Sequence, residues 1–218
     1  MFLLGVTGVM GCGKSTVSSL FGELGGVVMD CDRLARQALA PGSAGEAQVV
    51  AAFGPGLLAP EGGLDRRRLA EVVFSRSDGA AILEAIVHPM VWRGLAAALS
   101  RLAREKPEAV AILEIPLLFE SGHEGLCDRV VAVRCGPGQE ERLRSRQGMS
   151  PQSRERANAR QLPEAEKCRH AHWSIDNSGS LAASRIQVQA LWERLRAEAA
   201  DSQERAWPSA WKRYLADD

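Results

Sequence analysis

The eight residues GVMGCGKS, positions 8 to 15, constrain this chain more than any other stretch. They match G-x-x-x-x-G-K-[ST] and lie between an apolar run, FLLGVTG (2 to 8), and a helical pattern, STVSSLFGELGG (15 to 26), the strand–loop–helix setting such a loop requires. Glycine is needed there because a side chain would block an anion or forbid the turn. Backbone N–H groups from Gly11, Cys12, Gly13, Lys14 and Ser15 can then face one concavity, and the helix that follows adds its positive end. With Thr16, these are the residues expected to bind a nucleoside triphosphate. Lys14 is placed to reach the β and γ phosphates, and the Ser15 hydroxyl to ligate Mg²⁺. Cys12 occupies a variable position of the motif and is read as a small tolerated side chain rather than a redox group.

Around this loop, short apolar runs alternate with amphipathic stretches. VVM (27 to 29) reads as a second strand, AVAILEIPLLFE (109 to 120) contains a third, RVVAVRC (129 to 135) is a fourth, and HWSIDNSGS (172 to 180) holds a fifth. The expected fold is α/β of the P-loop NTPase kind: a five-stranded parallel sheet flanked by helices on both faces, with ligands at the carboxyl ends of the strands. One domain spans residues 1 to 218. About 41 to 107 reads as a mainly helical insertion, because Gly/Pro punctuation gives way there to long stretches such as ILEAIVHPMVWRGLAAALSRLAREK. About 138 to 170 is polar and Arg-rich, buries little by itself, and reads as a helical lid. The extension at 200 to 218 carries two Trp and one Tyr expected to dock on the body, and no function is assigned to it.

Composition narrows the function classes. Hydrophobic residues make up 45% and charged residues 25%, an ordinary globular balance. The formal net charge is zero, so nothing favours a nucleic-acid-binding surface. Five cysteines form no C-x-x-C pair and leave one over under any pairing, which suits a reducing compartment; the N-terminal apolar run is broken by glycines, so neither a signal peptide nor a membrane span is read there. A cytoplasmic protein is expected. A signalling GTPase would need an N-K-x-D motif, which is absent, and the D-x-x-G at 176 to 179 falls after the last strand. A motor ATPase would carry an acid-tipped Walker B strand, whereas AVAILEIP offers Glu114, either a helper of Mg²⁺ through water or a strand end.

A small-molecule kinase remains, and it must hold an acceptor hydroxyl near the γ phosphate. GGVVMDCDRLARQ (25 to 37) places Asp30 and Asp32 where a strand gives way to a helix. Metal ligation, acid–base work and plain turn chemistry all fit two carboxylates there. The change of periodicity splits the pair: Asp30 ends a strand, and Asp32 opens a helix on the acceptor side.

With these segments joined by PEGGLDRRRLAEVVF, IVHPMVWRGL, LEIPLLFESG and DRVVAVRCGPGQEERLRSR, the chain resembles the dephospho-CoA kinase family over about residues 2 to 195. The resemblance implies transfer of a phosphoryl group from MgATP to the ribose 3′-hydroxyl of dephospho-CoA, the last step of coenzyme A biosynthesis, with no nucleic-acid or membrane partner. It places the catalytic base on Asp32 and substrate contacts on Arg66 and His88 in the helical insertion. It also places lid arginines on Arg142 and Arg146, and the loop lining the adenine on Asp176 and Asn177. Another small-molecule or nucleoside monophosphate kinase of the same fold is the alternative, and a non-enzymatic nucleotide switch the rival from a different class.

Overall fold

A computed structural model describes residues 1–136, 158–201 and 209–215. The chain divides into two compact units, one formed by Met1–Asp30 with Ala98–Arg213 and the other by Cys31–Ala97 with Tyr214–Asp218.

The first unit is built on a sheet. Its strands are β1 (Phe2–Thr7), β2 (Val27–Asp30), β3 (Val110–Glu114), β4 (Arg129–Arg134) and β5 (Trp173–Asp176). They run parallel in the order β2-β3-β1-β4-β5. Every residue of β1 and β3 is buried, which is why both read as uninterrupted apolar runs: a strand covered on both faces has no polar side to alternate with. Helix α1 (Lys14–Glu23) contributes Val17, Leu20 and Phe21 to the core on this sheet. The C-terminal helix that completes this core is Leu181–Asp201, which contributes Val188, Leu191, Trp192 and Leu195. Phe21 and Trp192 meet with ring centroids 6.3 Å apart. Full burial of a side chain such as Phe21 contributes about 1.5–3 kcal/mol.

The topology positions the site. From β1 the chain crosses to β2 and β3 on one side, then passes β1 again to reach β4 and β5, so the loop after β1 lies at the point where strand order reverses. Register aligns the strand ends, pairing Val6 with Glu114, Asp30 with Glu114 and Thr7 with Ala132.

The second unit is helical. It contains α2 (Cys31–Ala38), α3 (Ala44–Phe53), α4 (Arg66–Ser75) and the first part of α5 (Gly79–Glu105), whose remainder belongs to the sheet unit. Its starts are locally encoded: the Ser43 hydroxyl accepts from Glu46 N–H at 3.1 Å, and the Asp65 carboxylate accepts from Arg68 N–H at 3.0 Å. Val49, Leu57, Leu69 and Val73 form a small core. Helix α5 is long and apolar enough to cross a membrane by length and composition. Its buried face, including Leu95, Ala96 and Leu99 at 0% exposure, is spent on packing instead. His88 and Pro89 lie inside this helix, and Pro89 leaves the Ala85 carbonyl without its helical donor.

Past the 137–157 stretch, α6 (Glu164–His170) precedes β5, and Leu181–Asp201 is labelled α7. A last short helix, α8 (Ser209–Lys212), leads to Tyr214. Trp211 docks as expected of the tail: it is fully buried and donates its indole N–H to the Leu126 carbonyl at 2.9 Å.

Candidate active site

The loop joining β1 to α1 turns on glycines in conformations other residues avoid. Gly13 is left-handed (φ 89°, ψ 32°) and is the N-cap of α1, with no side-chain cap, so the first helical N–H groups face outward as anion donors. Gly8 admits no side chain, because a Cβ would lie 2.5 Å from the Val133 carbonyl oxygen and 2.7 Å from Cys12 Sγ. The Cys12 thiol is fully buried, and burial pushes its pKa up. It is therefore an unreactive packing group.

Two side chains of the motif make hydrogen bonds at the loop. Lys14 curls over the loop, its ammonium donating to the carbonyls of Gly8 and Val9 at 3.0 and 3.1 Å. The Ser15 hydroxyl donates to Glu114 Oε1 at 2.8 Å. Glu114 is 6% exposed; burial raises its pKa and so does the Asp30 charge, against the Ser15 hydrogen bond and the Lys14 charge. Glu114 and Asp30 end adjacent, paired strands, and Ser15 joins them from the first turn of α1. Among the described residues no group of three or more His, Cys, Asp or Glu is arranged to hold a metal. An oxygen set of one hydroxyl and nearby carboxylates nevertheless suits a hard divalent cation that keeps its waters and binds phosphate oxygens.

Three further features were not marked in the sequence. Gln161 Oε1 accepts from the Met10 N–H of the phosphate loop at 2.9 Å. Lys167 is fully buried, paired with Glu120 at 2.7 Å and donating to the Pro116 carbonyl at 2.9 Å. Burial pulls its pKa down while Glu120 holds it up. Glu164 accepts from Cys135 N–H at 2.7 Å and Gly136 N–H at 3.4 Å, just before the stretch read as a lid. A buried lysine in a polar run carries no sequence signal, and Gln161 is one of several glutamines.

Asp176 ends β5 and Asn177 follows it. Asp176 Oδ1 accepts from the Ser178 N–H and hydroxyl, and Oδ2 pairs with Arg134 at 2.8 Å; these bonds hold its pKa below the usual carboxylate range. Asn177 is 6% exposed and spans the Cys12 carbonyl and the Ser184 hydroxyl.

The remaining expected residues belong to the helical unit or fall outside the described residues. Strand β2 ends at Asp30 and α2 starts at Cys31, so Asp30 and Asp32 do part onto different elements, and Asp32 is exposed in the first helical turn. Arg66 opens α4 and, with Arg36, Leu39, Pro41, Leu64 and Leu69, lines a groove of about 440 Å³ within this unit. His88 is half-buried on α5 and does not line that groove. Arg142 and Arg146 lie outside the described residues.

A parallel sheet in this order, with a glycine loop closing its central strand onto a helix and an acid at the neighbouring strand end, defines a nucleotide-binding kinase of the P-loop class. Comparison with known proteins gives the family. The family model described as dephospho-CoA kinase matches residues 2–183. The dephospho-CoA kinase of Moorella thermoacetica is 40% identical over 205 residues, covering 94% of this chain and 97% of its own. A Thermus thermophilus protein of known crystal structure is 39% identical with a TM-score of 0.72, covering 89% of this chain and 97% of its own. The Campylobacter jejuni dephospho-CoA kinase is 26% identical with a TM-score of 0.66, covering 90% and 98%. This chain belongs to the dephospho-CoA kinase family.

Proposed function

We propose that this protein transfers the γ-phosphoryl group of ATP to the ribose 3′-hydroxyl of dephospho-CoA, yielding coenzyme A and ADP in the cytoplasm. The observation that carries this is the uncapped, glycine-turned start of α1, with the Ser15 hydroxyl held on buried Glu114 beside it, in a chain matched by the family over residues 2–183. Backbone N–H groups from Gly11 to Thr16 hold the phosphate chain, and Lys14 leaves the Gly8 and Val9 carbonyls for the β and γ phosphates. Ser15 would hold Mg²⁺ directly, and Glu114 and Asp30 would reach it through water. Mg²⁺ supplies charge neutralisation of the phosphate oxygens. Arg142 and Arg146, assigned from the family resemblance, would neutralise the charge that develops on the transferring group.

Asp32 orients the 3′-hydroxyl. An ordinary aspartate is a weak base toward an alcohol, and in a loose transition state the proton leaves late, so aligning the nucleophile matters more than removing its proton. The Arg36 and Arg66 groove of the helical unit matches in charge the pyrophosphate of the acceptor, and its apolar lining suits the rest of a long, mostly uncharged arm. The five cysteines are unbridged, in keeping with a reducing compartment.

ADP release measured with dephospho-CoA, AMP, adenosine and shikimate as acceptors tests the assignment. Turnover should depend on dephospho-CoA; turnover with another acceptor and not with dephospho-CoA overturns it. Asp32→Asn should lower kcat by about 10²- to 10⁴-fold with little change in KM for ATP. A near-normal kcat would reduce Asp32 to a residue of the helix start.

A further inference from the structure

The Asn177 side chain bridges the end of β5 to the phosphate loop. Its Nδ2 donates to the Cys12 carbonyl at 2.8 Å, its Oδ1 accepts from the Ser184 hydroxyl at 2.7 Å, and its own backbone N–H donates to the Arg134 carbonyl at 2.7 Å. Ser184 lies on α7, is fully buried, and is fixed by its N–H bond to the Ser180 carbonyl. The Cys12 carbonyl can only accept, so it selects the Nδ2 end of the amide, and the Ser184 hydroxyl fixes the Oδ1 end by donating to it.

The bond to Cys12 has a geometric consequence. The Cys12 carbonyl and the Gly13 N–H belong to one planar trans peptide and point in opposite directions. Holding the carbonyl on Asn177, inside the protein, turns the Gly13 N–H away from the protein and toward the concavity where phosphate oxygens bind. Gly13 is the left-handed residue at the helix start, so this peptide is the one whose rotation costs least and needs an outside constraint most. The buried Cys12 side chain anchors one flank of it, and Asn177 fixes its rotation.

We infer that Asn177, set by Ser184, is a positioning residue of the phosphate loop: it aims the Gly13 N–H at the phosphate chain and acts on nucleotide through the phosphates rather than through the base. The inference rests on the nucleotide-binding role proposed above. It differs from the adenine-lining role that resemblance alone implies, and the two separate cleanly by ligand.

Equilibrium binding of ATP, tripolyphosphate and adenosine to the full chain, in the presence of Mg²⁺, is the test. Asn177→Ala should weaken ATP and tripolyphosphate in parallel by about tenfold, the equivalent of one hydrogen bond, and leave adenosine unchanged. Asn177→Asp, which cannot donate to the carbonyl and adds a charge near the anion, should lose more for both phosphate ligands and again nothing for adenosine. Ser184→Ala keeps Asn177 and removes only the hydroxyl that fixes its Oδ1; it should show the same pattern at two- to threefold, and it decides the matter if the Asn177 variants do not fold. Loss of adenosine and ATP together with tripolyphosphate unchanged overturns the inference in favour of base contact. Unchanged affinities for all three ligands in folded variants overturn it as well. A wild-type chain that binds neither ATP nor tripolyphosphate overturns the proposed function itself, a failure visible before any variant is made.

Discussion

In the sheet unit, the side chains that shape the phosphate loop come from far along the chain, whereas in the helical unit polar side chains mostly serve their immediate neighbours. Asn177 reaches Cys12 across 165 residues, Gln161 reaches Met10 across 151, and Glu114 holds Ser15 across 99. In the helical unit Asp65 caps Arg68 three residues on, Ser43 caps Glu46 three residues on, and Arg76 pairs with Asp78 two residues on. Buried long-range hydrogen bonds fix a unique geometry, because each group would be left unpaired if the loop moved. Local exposed bonds define where helices start and little more. The unit proposed to present donors to a phosphate chain at fixed angles is thus over-determined, and the unit proposed to carry the acceptor residues is a set of helices around a small apolar core.

The largest expected difference is between two ion pairs. Lys167 and Glu120 have side chains 1% and 13% exposed, while Arg67 and Glu71 in the helical unit are 86% and 67% exposed. Lys167→Met leaves the Glu120 carboxylate buried without its countercharge, which should cost about 3–5 kcal/mol. For a chain of this size that lowers Tm by about 10 °C or more. Arg67→Ala should cost less than about 1 kcal/mol. Adding Glu120→Leu to Lys167→Met should recover part of the loss, because the stranded charge goes with it. Thermal unfolding of the three variants checks the series, and equal Tm losses for Lys167→Met and Arg67→Ala would remove the contrast between the two units.

An intermediate effect belongs to the helical unit. Asp65→Ala removes the cap on α4 and should cost about 1 kcal/mol of stability. Because that bond is local, ATP affinity should not change. Tm and ATP titration measured on the same preparation check both halves of the expectation, and a weakened ATP affinity would show that the two units are energetically coupled.

The same difference in reach explains what could be read from the sequence. The phosphate loop was legible because its whole chemistry sits in eight consecutive residues, and β1 and β3 because complete burial turns them into apolar runs. The caps at Ser43 and Asp65 are equally local. The strand order was not legible, since apolar runs do not state their neighbours. Nor were Gln161 and the amide of Asn177 as loop supports, or Lys167 as a buried donor to Pro116: each works on a partner more than 50 residues away in sequence, and burial runs against the usual exposure of lysine. The acid pair was intermediate. A strand-to-helix change of period is visible locally and separates Asp30 from Asp32, but the pairing of Asp30 with Glu114 follows only from the parallel register of β2 on β3.

The smallest expected effect is a pH dependence confined to the sheet unit. His172 Nδ1 accepts from the Val130 N–H at 3.0 Å while the His172 N–H donates to the Val130 carbonyl at 2.9 Å, extending the β4–β5 pairing by one residue before Trp173. An acceptor nitrogen must be unprotonated. Burial lowers the His172 pKa and the Arg129 charge lowers it further, with Glu198, itself paired to Arg129 at 2.9 Å, opposing both. A histidine whose folded pKa lies below its unfolded value of about 6.5 binds fewer protons folded than unfolded. Its contribution is therefore complete above about pH 6.5 and is lost as pH falls from there through the folded pKa. Within that range the unfolded chain gains the proton first, and protonating the folded chain would also break the Val130 bond. His172→Asn keeps a side-chain acceptor without a titrating nitrogen, so its Tm should fall less than the wild-type Tm between pH 7 and pH 5. The difference should be smaller than the roughly 1 kcal/mol of one neutral hydrogen bond. Parallel Tm profiles for the two proteins would assign the acid sensitivity to carboxylates instead, and with it to both units rather than to the sheet alone.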